Sequence, residues 1–218
     1  MAHLILVGVG HIFNLEERIK KLIIEEKPNA IAIELDFKRA LALLEKKHVK
    51  SQNLFYSLMA KLQNLIANKY GVKAGNEMLA AIKTGYEMNI PIIYIDKDAG
   101  EIINRLWKEI SIVKKFRLII ASFFSLFIRK RKVEEEIKKF EKNPDEFMEK
   151  IEENLPEVKK ILIDERNEYM ANNLKKALKE YDKVLAIVGE GHISGIKKLL
   201  ENEKNIELKI IHLSDLIN

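Results

Sequence analysis

Two short stretches of the 218-residue chain carry the residues best suited to chemistry: "ILVGVGH", ending at His11, and "AIVGEGH", ending at His192. Each is an apolar run followed by Gly-x-Gly-His, so each reads as a strand, a tight turn and a helix start. The first glycine permits a sharp exit, and the second lets the backbone come close to a ligand or a neighbouring strand. Glu34 and Asp36 close the run "AIAIELD", and Asp96 closes "IPIIYID", with Asp98 two residues on. If all these runs are strands of one parallel sheet, imidazoles and carboxylates converge at their carboxyl ends, where such sheets bind ligands. Two imidazoles and a carboxylate can hold a divalent metal with an open position, lowering the pKa of a bound water for hydrolysis at neutral pH. Mn, Co, Fe or Zn would each accept that set. Metal-free acid–base work, with one His as base and Glu34 orienting it, remains open. Arg105 and Arg166 could hold a substrate carboxylate or phosphate bidentately.

Each piece also has a plainer reading. The histidines could cap helices, Glu34 could be a solvated salt-bridge partner, and Glu165 with Arg166 could form a solvated helix face. His3, His48 and His212 receive no functional role. Two matched turns on like strands favour function over these alternatives.

The elements that must position these residues follow from periodicity. "LILVG" from Leu4 is a first strand, followed by a helix with Leu15, Ile19, Leu22 and Ile23 at helical spacing and ended by Pro28 and Asn29. With "AIAIELD" it makes a right-handed βαβ unit. Helices are expected from Phe37 to Tyr70, from about Asn76 to Met88, and from near Ala99 through Arg105 and Trp107. "ILIDERNEYMANNLKKALKEY" reads as one long helix, "KVLAIVG" as a fourth strand, "ISGIKKLLEN" as a helix and "LKIIHLS" as a fifth strand. Alternating strands and helices predict an α/β fold with a mostly parallel central sheet flanked by helices. The expected organisation is a single domain over residues 1 to 218, with a helical insertion at 110 to 160.

Composition narrows the classes. Cysteine is absent, which excludes disulfides, thiolate zinc sites and cysteine nucleophiles. The chain is long enough to bury roughly 70% of its unfolded surface. Charged residues make up 33% of it, a balance that suits a thermophile. The net charge of +5 is a mild excess, and with no phosphate loop, zinc-finger spacing or RNA-binding aromatic motif the chain is not expected to bind nucleic acid. The N-terminus shows no signal-peptide pattern, so a cytoplasmic protein is expected. The apolar run "LIIASFFSLFI" from Leu118 has eleven residues, against about 17 to 25 for a membrane span. Basic clusters flank it, at Lys114, Lys115 and Arg117 and again at Arg129 to Lys132. The segment 110 to 132 is therefore expected to mediate peripheral membrane contact or a homodimer, a helix buried against the sheet being the alternative.

In order and spacing, "LVGVGH", "IAIELD", "GNEMLAA", "IPIIYIDKD" with "NRLW", "DERNEYMA" and "IVGEGHISGI" resemble the TraB/PrgY pheromone-shutdown family, whose wider relatives include the Tiki metalloproteases and GumN. The resemblance covers most of the chain outside the insertion. It implies an α/β fold shared with ChaN-like and erythromycin-esterase-like proteins. It also implies a metal and catalytic site at His11, Glu34 and His192, with Glu77, Asp96, Arg105, Glu165, Arg166 and Met170 at accessory positions. Of these, Glu77 and Asp96 are assigned to substrate binding, and Arg105, Glu165 and Arg166 to catalysis. The chain departs from the family pattern at Lys97, where Arg is common, and at Asn167, where Asp is common. The expected function is a metal-dependent hydrolase acting on a peptide or small anionic substrate. The alternative is a regulatory protein that binds a peptide or anion in the same pocket without turnover.

Overall fold

A computed structural model describes residues 1–10, 13–45, 75–111, 114 and 144–217. Among them, five strands form one parallel sheet: β1 (Ala2–Val9), β2 (Ala30–Ile33), β3 (Ile92–Tyr94), β4 (Lys183–Gly189) and β5 (Ile206–Ile211), in the order β3-β2-β4-β1-β5. β1 and β2 run parallel but are not neighbours, as a simple βαβ unit would have them. β4 lies between, with Val188 opposite Gly8 and Ile187 opposite Ile33.

The strands are apolar on both faces because helices cover both. Ile5, Val7 and Val9 of β1, Ile31 and Ile33 of β2, and Leu185 and Ile187 of β4 pack on one side. They meet Leu15 with Ile19 and Ile23 of α1 (Glu16–Glu26), Ala40 of α2 (Phe37–Leu44), and Met78, Ala81 and Ile82 of α3 (Asn76–Glu87). The alternate positions Leu4, Leu6, Ala30, Ala32, Val184, Ala186 and Val188 face the other side. There they meet Met170, Ala171, Leu174 and Ala177 of α7 (Glu165–Glu180) and Ile193, Ile196 and Leu200 of α8 (Glu190–Leu200). The period of two sorts the side chains, and the alanines on the α7 face let that helix lie close to the sheet. α4 (Ala99–Glu109) forms a third core, in which Ile102, Leu106 and Ile110 meet Ile161.

The long helix expected from Ile161 is not uniform. α5 (Pro144–Asn154) and α6 (Pro156–Lys159) lead into a π-helical stretch, Lys160–Asp164, and α7 follows directly. The Glu165 N–H bonds to the Lys160 carbonyl, five residues back. The helix after β4 starts three residues earlier than the periodicity suggests. Gly189 is its N-cap, so Glu190, Gly191 and His192 form its first turn rather than a loop. The exit of β1 differs: the Phe13 N–H bonds to the Gly10 carbonyl, and α1 begins only at Glu16. α9 (Leu213–Ile217) closes the described chain. The later part of the expected insertion is helical, with α5 packed against α8. His11, His48, the helix beyond Glu45 and the apolar run from Leu118 with its flanking basic clusters, Lys114 apart, lie outside the described residues. Among the described residues no helix is long and apolar enough to cross a membrane.

Candidate active site at the carboxyl edge of the sheet

Connections from the neighbouring strands β1 and β4 depart to opposite faces, α1 to one and α8 to the other, which makes the edge between them a topological switch point. Glu34 leaves β2 beside it. Its carboxylate accepts from Gly189 N (2.6 Å to Oε2), the N-cap of α8, and from Arg166 Nη2 at Oε1. Nε2 of His192, in the first turn of that helix, stands 3.3 Å from the same Oε1. The ring's other nitrogen, Nδ1, lies 2.6 Å from Asn167 Oδ1. An amide oxygen only accepts, so Nδ1 donates and Nε2 is the nitrogen aimed at the carboxylate. The close approach of α7 and α8 depends on Gly195, where a Cβ would fall 2.1 Å from Asn167 Nδ2.

Arg166 is the hinge of a longer chain of charges. Nε and Nη2 grip Asp96 at 3.0 and 2.8 Å, and Nη1 reaches the Leu162 carbonyl at 3.0 Å, in the π-helical stretch just upstream. Arg39 approaches Asp96 from the other side and bonds Asp36 through Nε at 2.7 Å. Asp36 in turn N-caps α2 through Arg39 N (2.9 Å) and accepts from Ala99 N (3.2 Å), tying the starts of α2 and α4 together. The chain Asp36, Arg39, Asp96, Arg166, Glu34 thus alternates three carboxylates with two guanidiniums, leaving one negative charge in excess at this shielded edge. A proton on His192 or a bound cation would neutralise it.

Burial pushes the Glu34 carboxyl up, but the charges of His192 and Arg166 and the Gly189 N–H outweigh it, holding the group well below the usual carboxylate range. A carboxylate held so firmly ionised is a poor proton acceptor at neutral pH. It suits a ligand or an orienting anion better than a general base. Glu34 and His192 are the described residues that could hold a divalent cation here: a carboxylate beside an imidazole whose second nitrogen is fixed by a hydrogen bond. Among the described residues no group of three or more such ligands is present. The further position that the motif offers, His11, lies outside them.

The structure therefore brings together Glu34, Asp96, Arg166 and His192. Arg105 and Glu165 form a separate pair at the rim (2.5 Å), with Arg105 also bonded to Glu109 (2.8 Å) and Lys97 Nζ 3.7 Å from Glu165. Glu77 is buried in the first turn of α3, in the helix layer opposite α7. Met170 is fully buried in the core beneath α7. Asp98 caps α4 through Glu101 N and pairs with Lys38. Sequence reasoning missed Arg39, Asn167 as the partner of His192, and Glu190. The signal for Glu190 lay within the second motif itself, between its two glycines.

A parallel α/β sheet with a buried carboxylate–imidazole pair at its switch point defines the class. The chain belongs to the TraB/PrgY/gumN family, whose model matches residues 2–210. It is 30% identical over 219 residues to an uncharacterized protein of Methanocaldococcus jannaschii, an overlap that covers 93% of this chain and 55% of that protein. The chain thus spans about half the length of that relative.

Proposed function

We propose that this chain is a metal-dependent hydrolase that cleaves a peptide or related amide bond at the carboxyl edge of its sheet. The observation that carries the reading is the Glu34–His192 pair. An ionised carboxylate lies 3.3 Å from an imidazole nitrogen, in a charge chain with one negative charge in excess. Glu34 and His192 would hold the ion, with His11 of the matched motif as a third ligand. The ion, Mn, Co or Zn, would supply Lewis acidity toward a carbonyl and a lowered pKa for water. Asn167 fixes the His192 ring, and Arg166 fixes Glu34. The departure of Asn167 from the family's Asp is compatible with this, because its part is to accept the Nδ1 hydrogen, which an amide oxygen also does, more weakly than a carboxylate. Arg166 has its donors committed at the shielded edge, whereas Arg105 and Lys97 pair with carboxylates at the more exposed rim, where an anionic group on the substrate would meet them.

Elemental analysis of protein purified without a His tag, followed by peptide-library cleavage with added Mn, Co or Zn, tests this. Stoichiometric metal lost in both His192→Ala and His11→Ala, with cleavage lost in Glu34→Gln, is expected. Metal retained in both His variants overturns the ligand assignment, and metal binding with no cleavage of any peptide leaves a binding protein instead of an enzyme.

A further inference from the structure

The two lateral edges of the sheet are finished differently. β3 is three residues long and follows Pro91, and its Tyr94 ring is met edge-on by Phe37 of α2 at 5.7 Å. β5 is six residues long, and among the described residues no strand lies beyond it. Ala2 pairs in register with Ile206 and donates to the Asn205 carbonyl at 2.9 Å. Successive residues of an edge strand alternate between bonding inward and pointing outward. Glu207, Lys209 and Ile211 therefore turn their backbone groups to β1, while Ile206, Leu208 and Ile210 turn theirs away from it. The Ile206 N–H is taken by the Glu203 carbonyl (3.0 Å), which leaves the outward ladder to the Ile206 carbonyl and to both backbone groups of Leu208 and Ile210. An edge of this kind is a template for another strand, and proteins usually blunt it.

The side chains alternate in the same phase. Ile206, Leu208 and Ile210 lie against the core under α7 and α8 but are only partly buried, whereas Leu4 and Leu6 of the neighbouring β1, on the same face, are 0% exposed. On the opposite face Glu207 and Lys209 are 61% and 58% exposed. Glu207 meets His3 at 3.1 Å and Lys209 meets Glu26 at 2.6 Å, each within its own chain. A lysine on an open edge discourages pairing. Here a glutamate stands two residues before it on the same face, with Leu208 between them. A half-turn about an axis through Leu208 therefore sets Glu207 opposite Lys209 and Lys209 opposite Glu207, so the edge is complementary to a copy of itself.

We propose that β5 pairs antiparallel with β5 of a second copy of this chain, on a twofold axis through Leu208, joining two five-stranded sheets into one. Leu208 faces its own counterpart in a hydrogen-bonded pair, and the Ile210 N–H of each copy reaches the Ile206 carbonyl of the other. Glu207 and Lys209 then form the non-hydrogen-bonded pairs, whose Cα atoms stand about 4.5 Å apart and whose side chains are in reach. One such ion pair lies on each side of the axis. On the other face Ile206 meets Ile210 across the junction, completing the cover that one copy leaves partial. Backbone bonds and apolar contacts hold the copies together, and the charges select the register. The neighbouring registers that keep the ladder, with axes through Glu207 or Lys209, would set glutamate against glutamate or lysine against lysine. The axis is normal to the sheet, so the two Glu34–His192 edges lie at opposite ends of the joined sheet. They take no part in the contact, and the inference stands apart from the hydrolase reading.

Sedimentation equilibrium of the full chain over a micromolar concentration series tests this, and the wild type should be a dimer. Glu207→Lys and Lys209→Glu should each raise the dimer dissociation constant by more than about tenfold, because each sets like charges opposite on both sides of the axis. The double variant Glu207→Lys/Lys209→Glu restores opposite charges and should return to within about threefold of the wild type. The chain has no cysteine, which permits a direct reading of the register. Under mild oxidation, Glu207→Cys protein mixed with Lys209→Cys protein should form a disulfide-linked heterodimer. Either protein alone should cross-link far more slowly, because like positions lie diagonally across the junction, beyond bridging distance. A wild type that stays monomeric throughout the series overturns the proposal. A dimer that both single reversals leave intact overturns it too, and if Phe124→Ser dissociates that dimer the contact belongs to the run from Leu118. Should the reversals also lower the Tm, the cross-link decides, and a mixture that forms none overturns the pairing.

Discussion

The two ends of the parallel sheet use the same residue types to opposite effect. At the amino end, Glu26 accepts from Lys183 (2.8 Å) and Lys209 (2.6 Å), Asn29 accepts from Lys183 N (3.0 Å), and His3 meets Glu207. The lysine and histidine side chains here are between 32% and 58% exposed, so water shares their charges. At the carboxyl end, Asp96 and Glu34 are 0% and 9% exposed, and the side chains that partner them, Arg39, Arg166 and His192, are fixed on other elements. Exposed pairs are nearly interchangeable with water, whereas shielded ones depend on one another. A carboxylate and an imidazole become a chemical site only under the second condition.

The comparison is broken most severely at Arg166. Arg166→Leu would strand Glu34 and Asp96 without their shared counter-charge, and a loss of about 3–5 kcal/mol in urea unfolding is expected. Arg166→Lys should also lose stability, because an ammonium cannot grip Asp96 with two parallel bonds while holding Glu34. A raised KM at unchanged stability would instead show that Arg166 serves as a substrate clamp.

Acid should probe the same end. The folded-state pKa of Glu34 is lowered, so its contribution to stability is fully present above the unfolded value of about 4.3 and is lost as pH falls through the folded one. Stability of the wild type in metal-free buffer should therefore decline below about pH 4. Glu34→Gln should show a shallower decline over that range, measured by denaturant titration at stepped pH. Identical slopes would place Glu34 in contact with water.

Gly8→Ala should cost about 1–3 kcal/mol by displacing the Glu190 carboxylate. The smallest effect belongs to the amino end. Lys209→Ala removes one of the two cations on Glu26 and should change stability by less than about 1 kcal/mol, the more so in high salt. A loss comparable to that of Arg166→Leu would erase the distinction between the two ends.

Much of the scaffold was legible in the sequence because it rests on local pattern. The strand at Lys183–Gly189 matches the run "KVLAIVG" residue for residue, and Pro28, Asn29 and Pro91 mark real boundaries. The placing of β4 between β1 and β2 was not legible, since strand order is set by which faces the helices can cover and not by any local period. Glu34, Asp96 and His192 could be picked out as strand-exit residues. The partners that define their chemistry could not. Asn167 stood out only as a departure from an acidic pattern, and its bond to His192 spans two helices. Arg166 reads equally as a solvated helix arginine until α7 is laid against the sheet. Glu190 shows how a buried carboxyl group hides, because its place depends on the missing side chain at Gly8 on another strand.

The π-helical stretch Lys160–Asp164 sets the phase of everything after it. A helix with one extra residue in a turn presents its later faces rotated by roughly 100° from where an unbroken α-helix would put them. Upstream of that offset, Ile161 enters the core beside α4; downstream, Met170 and Leu174 enter the core under the sheet, and Arg166 and Asn167 reach Glu34 and His192. The length of this stretch therefore works as a gear ratio between two cores. A one-residue deletion there would let the helix anneal to regular winding and turn Arg166 away from Asp96, while leaving every residue of the charge chain in the sequence.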